Sequence, residues 1–155
     1  VVDLLPKNLE ARLFRAYIYM QRREYKEARI DYNVVLEQDV KNKTARMGLA
    51  MLGEKEGRVQ SAMDEMNRLV SDYPKDVSVL KMRANMEWEH GQLEAALFDL
   101  EEVLKLDSQD ASSYVMKGDI CLELKKKSEA REAYEKAMTL GVSRVELADK
   151  LKQCK

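Results

Sequence analysis

The sequence predicts an all-α chain, a solenoid of four 34-residue helical hairpins closed by one further helix. Three observations carry this. Small residues recur at Ala16, Ala50, Ala84 and Gly118, and again at Ala28, Ala62, Ala96 and Ala130, each set spaced by 34 without an insertion. Large residues (Tyr32, Met66, Leu100, Tyr134) and apolar ones (Val35, Leu69, Val103, Ala137) fall in the same frame. A fixed period of this length marks a repeat architecture, in which each unit buries its apolar face on its neighbour.

Each column has a physical reason. The two small columns lie twelve residues apart across a turn, so their members meet where two antiparallel helices approach most closely. The large residue one helical turn beyond the second small one fills the space beside that contact. Asn8, Asn42, Asp76 and Asp110 share a column, and these residue types cap helix N-termini. Gly57 and Gly91 sit between the helices of the second and third hairpins, where a left-handed residue ends a helix. Arg23 and Lys125 hold that position in the other two, so those turns close under strain. First helices are predicted at 9–22, 43–56, 77–90 and 111–124, and second helices at 25–38, 59–72, 93–106 and 127–140. Ser143 caps a last helix over 144–154, with Leu147, Leu151 and Cys154 on one face.

These residues make the chain similar to the tetratricopeptide repeat family over nearly its whole length. Ala16, Tyr19, Tyr25, Ala28 and Tyr32 carry the likeness in the first repeat, Ala50, Gly57, Ala62 and Pro74 in the second. Ala84, Gly91 and Ala96 carry it in the third, and Tyr114, Gly118, Ala130, Tyr134 and Ala137 in the fourth. Gly53, Glu87 and Cys121 depart from the aromatic at the Tyr19 column. The resemblance implies a right-handed α-α superhelix with repeats at 9–42, 43–76, 77–110 and 111–144 and a capping helix at 145–155, together one domain. Residues 1–8 align with the end of an earlier repeat, so Val1, Val2, Leu4 and Leu5 are expected to form an open apolar end suited to self-association.

The resemblance further implies a protein-binding scaffold whose ligand lies along the first helices. The implied positions share one helical face. They place Leu13, Phe14, Tyr17 and Met20 in the first repeat and Met47 and Met51 in the second. Lys81, Met82, Asn85 and Trp88 follow in the third, and Val115, Met116, Asp119 and Leu122 in the fourth. Methionine suits adaptable surfaces, so an apolar or amphipathic polypeptide segment is the expected partner. The Lys, Asn and Arg set with which some family members hold a C-terminal carboxylate is missing from these positions.

Other chemistries find little support. The 27 Lys and Arg nearly balance 28 Asp and Glu, for a net charge of -1, whereas binding nucleic acid needs a basic surplus or stripe. Lys125, Lys126 and Lys127 form a basic run with Glu123 and Glu129 beside it, and Lys81 is the one cation on the predicted face. No Walker loop, HExxH or GxGxxG motif is present, so no enzyme activity, cofactor or metal is expected. His90 precedes a helix-ending glycine, where the helix dipole favours it. Cys121 and Cys154 read as small buried apolar residues and specify no compartment. The competing readings are a regulatory or assembly domain of a larger protein and, more remotely, an RNA-binding helical repeat.

Overall fold

The structure, a computed structural model, describes residues 6–155, with side chains from Asn8 onward. The expectation for Val1, Val2, Leu4 and Leu5 lies outside the described residues. Among those described there are helices and turns and no strand. The helices are α1 (Pro6–Gln21), α2 (Tyr25–Gln38), α3 (Lys43–Lys55), α4 (Val59–Asp72), α5 (Val77–Glu89), α6 (Leu93–Leu106), α7 (Ala111–Glu123), α8 (Lys127–Thr139) and α9 (Arg144–Gln153). They fall into two compact units, one ending at Tyr73 and one running from Pro74 to Lys155.

In the first unit α1 pairs with α2 and α3 with α4, and α2 packs on α3. In the second, α5 pairs with α6 and α7 with α8, α6 packs on α7, and α9 rests on α8. The aligned columns supply buried residues of the hairpins. Ala16, Ala50, Ala84, Ala28, Ala62, Ala96 and Ala130 are buried, as are Tyr32, Met66, Leu100 and Tyr134 beside them. Gly118 shows why its column must be small, because a Cβ there would lie 2.4 Å from Tyr134 Cε1.

Within each hairpin the turn is the same. Gly57 and Gly91 take φ of 84° and 79°, and Arg23 and Lys125 are forced to 62° and 61° at the equivalent position. The following amide reaches back to the helix in every case, from Glu24 to the Tyr19 carbonyl at 2.9 Å and from Arg58, Gln92 and Lys126 to those of Gly53, Glu87 and Cys121 at 2.8 Å. This pairing satisfies carbonyls that a helix end would otherwise leave bare. A left-handed side chain costs about 1–2 kcal/mol, against a smaller entropy cost for glycine. Arg23→Gly and Lys125→Gly should therefore each stabilise the fold by about 0.5–1 kcal/mol. Gly57→Ala should destabilise it, all three read by thermal melts.

The caps were only partly legible. Asn42 accepts from the Ala45 amide at 2.9 Å, and Asp76 from that of Val79 at 3.2 Å. Asn8 does not precede its helix, because α1 begins earlier than predicted, at Pro6, and encloses it. Proline fits a first helical position, where its missing N–H is not needed. The Asp110 side chain precedes α7 but accepts no backbone N–H there; its carboxylate is taken by Ser112, Ser113 and Lys81. Ser143 caps α9 through the Val145 amide at 3.2 Å. Leu147 and Cys154 are buried, and Leu151 packs against the same core.

Candidate functional site

The predicted binding positions lie on the first helix of each hairpin, and the two units use them differently. In the first unit, Phe14 and Tyr17 stand one turn apart on α1 and are 65% and 57% exposed. Met51, on α3, is 38% exposed, and α1 and α3 are in contact. Leu13 and Met47 are half-buried, Leu13 against the core of this unit. Met20 differs from the expectation. It is 7% exposed within that core, because it lies one turn beyond Ala16 and shares the face that meets α2. Gly48 is covered by Tyr32, whose Cζ would be 2.2 Å from an added Cβ. What remains is an open, mainly apolar surface with two aromatic rings.

In the second unit the equivalent positions are occupied by internal contacts. Lys81 Nζ donates to Ser112 Oγ at 2.9 Å and lies 2.8 Å from an Asp110 carboxylate oxygen. Burial pushes the Asp110 carboxyl up, but hydrogen bonds from Lys81, Ser112 and Ser113 and the Lys81 charge outweigh it and hold it at about 2. Asn85 donates to Glu89 at 3.1 Å, and Trp88 Nε1 to Glu123 at 3.0 Å. Asp119 accepts from the Tyr134 hydroxyl at 2.6 Å and from Lys150 at 3.0 Å. Burial first, and then the Asp119 contact, raises the Tyr134 phenol far above its ordinary range. Met82 is half-buried, and Val115, Met116 and Leu122 pack against the core. The cation and the acid predicted to face a ligand are thus tied to their own fold.

Sequence reasoning missed a second layer of polar structure. Arg15 grips Asp31 with two hydrogen bonds of 2.7 and 2.6 Å, and Arg83 grips Asp99 with two of 2.7 and 2.8 Å. Both aspartates are 1% exposed. The pairs are related by 68 residues, two repeats, whereas the intervening repeat has Leu49 and Glu65 in these columns and the last has Lys117 and Ala133. A recurring Arg-to-Asp spacing of 16 was the available signal. Beside Asp99, Glu87 is buried with Oε1 3.7 Å from Arg83 and with Oε2 unpartnered. Burial, then the Asp99 charge, raises its carboxyl to about 7 against the pull of Arg83.

With hairpins, turns and surfaces in place, comparison with known proteins is decisive for the family. A profile described as a tetratricopeptide repeat-like domain matches residues 56–155. The chain belongs to this family. A tetratricopeptide repeat protein from Parabacteroides merdae is 29% identical at a TM-score of 0.79, covering 96% of this chain and 58% of that one. The present chain therefore spans less than two thirds of that protein. Pseudomonas aeruginosa pilF superposes at a TM-score of 0.83 with 22% identity, over 94% of this chain and 67% of that one. YrrB, described as a TPR protein with an unusual peptide-binding site, gives 0.72 and 19%, over 88% of this chain and 71% of that one. No curated protein matches the sequence significantly. The fold is an all-α helical-repeat solenoid, which supports a general role as a scaffold for protein–protein interaction in a family typically without catalytic activity. Among the described residues, no helix of this tetratricopeptide repeat protein is long and apolar enough to cross a membrane.

Proposed function

We propose that the chain is a non-catalytic scaffold that binds an apolar or amphipathic polypeptide segment on the first helices of its first unit. Phe14, Tyr17 and Met51 are its anchors. The observation that supports this most is the exposure of two neighbouring aromatic side chains, Phe14 at 65% and Tyr17 at 57%. Rigid aromatic groups concentrate binding energy when a partner desolvates them. Half-buried Leu13 and Met47 extend the apolar surface around them, and Met20 supports it from the core. In the second unit the cation at an equivalent position, Lys81, is committed to Asp110. That commitment also argues against an RNA ligand, which would need open cations.

The double variant Tyr17→Ala, Met51→Ala should weaken a polypeptide partner by about 2–4 kcal/mol. Its melting temperature should stay near that of the parent, because neither side chain is buried. Titration calorimetry against a partner recovered by affinity capture, with melts run in parallel, tests this. Unchanged affinity refutes the site. Early unfolding would instead place both residues in the core. The same titration with single-stranded RNA should show no heat.

A further inference from the structure

The first unit holds a second feature that the binding face does not use. A cavity of ≈ 290 Å³ opens among α2, α3 and α4. Four arginines are among its lining residues: Arg29, Arg46, Arg58 and Arg68. Leu36, Leu49, Ala50 and Ala62 line it with apolar atoms around Gly53, and Ser61 and Glu65 line it as well.

Two departures from the repeat produce it. Gly53 stands in the column that Tyr19 holds in the preceding repeat, and Leu49 in the column of Arg15 and Arg83. The first removes an aromatic ring, and the second replaces a paired cation by an apolar side chain. Gly53 is not a conformational requirement here. It is helical, and a Cβ would meet only Ala62 Cβ at 3.6 Å and the Arg58 carbonyl at 3.9 Å.

The arginines are partly engaged. Arg29 and Arg58 each donate to Glu56, Arg58 at 2.8 Å. Arg46 donates to Glu65 at 3.2 Å and to Asp72 at 2.8 Å, and Arg68 to Glu65 at 2.7 Å. Four cations thus meet three carboxylates, and each guanidinium brings five N–H donors, of which at most two are used in these bonds. Arg29 and Arg58 converge on Glu56, Arg46 and Arg68 on Glu65, so cations gather around two points of a partly apolar hollow. Planar guanidinium groups are suited to bidentate recognition of carboxylates.

We propose that this cavity is a separate site for an acidic polypeptide segment, which inserts one aliphatic side chain over Gly53 and sets a carboxylate on each side against the arginines. The volume, at the small end of ligand pockets, suits one such side chain. The cavity lies on a different face of α3 from Met47 and Met51, since Arg46, Ala50 and Gly53 follow one another at helical spacing on their own stripe.

The test uses the full chain and a fluorescent hexapeptide with a central glutamate–leucine–glutamate, followed by anisotropy at low and high salt. The parent should bind it, with affinity falling as salt screens the exposed rim. Replacing both glutamates by glutamine, or the leucine by glycine, should weaken binding at least tenfold. Gly53→Tyr, which fills the hollow, should do the same without lowering the melting temperature. Arg29→Gln with Arg58→Gln gives a second reading should the tyrosine perturb folding. Tyr17→Ala, Met51→Ala should bind the hexapeptide as the parent does, which keeps this site distinct from the proposed binding face. Parent-like binding by folded Gly53→Tyr or by the double arginine variant would overturn the proposal. So would displacement of the peptide by an equal concentration of inorganic phosphate, which would mark a general anion site.

Discussion

Changing Arg83 to methionine is expected to destabilise the protein by about 3–5 kcal/mol, the usual cost of stranding a buried charge. Asp99 is 1% exposed and accepts two hydrogen bonds from this one guanidinium. With Arg83 gone, the buried carboxylate loses its cation and sits beside a second buried acid, Glu87. Urea unfolding at neutral pH measures the loss. Arg83→Met combined with Asp99→Leu should recover much of it, because an apolar pair of similar volume carries no desolvation penalty. The related position in the first unit supplies a control. Arg15→Met should cost less, since Arg12 also reaches Asp31 at 3.3 Å. Equal losses at Arg15 and Arg83 would show that the sharing of Asp31 has no energetic weight.

The second large effect has the opposite sign. Glu87→Gln should stabilise the protein at pH 8, by an amount on the order of 3 kcal/mol. The Glu87 carboxyl is raised from 4.5 to about 7 by burial and by Asp99. As pH rises through this window, the unfolded chain releases the proton first. The folded state holds it longer and loses stability relative to the unfolded chain. The loss begins near the ordinary carboxylate value and is complete above pH 7. The parent should therefore melt progressively lower from pH 5 to pH 8, and Glu87→Gln should lack that part of the slope. Arg83 keeps Asp99 in either case, so the glutamine leaves the main ion pair in place. Identical pH slopes for parent and variant would remove Glu87 as the source.

These two residues mark where sequence reasoning stopped. The columns of Ala28 and Tyr32 were legible because volume constraints repeat at every hairpin with the same spacing. The turns were legible for a similar reason, and even the strained Arg23 and Lys125 fall where backbone geometry demands a left-handed residue. Charged columns obey no single-repeat rule. Arg15 and Arg83 read as surface residues until α2 and α6 bring Asp31 and Asp99 to them, and the pattern recurs only every second repeat. The candidate face was legible as a set of positions, not as a surface. Lys81 and Trp88 find partners in the following repeat at Ser112 and Glu123, and nothing local predicts those contacts. Tyr17 and Phe14, by contrast, remain exposed.

One further consequence follows from the two cysteines. Both are enclosed in the second unit, Cys121 at 0% and Cys154 at 2% exposure. Burial raises both thiols, Cys121 on α7 and Cys154 at the end of α9, and the thiolate is the reactive form. An alkylating reagent in solution thus meets neither sulfur until part of the unit opens. The two thiols make a built-in pair of clocks, one set by the lifting of α9 and the other by the parting of the last hairpin. The ratio of their rates reports whether the chain frays from its C-terminal end or opens as a whole.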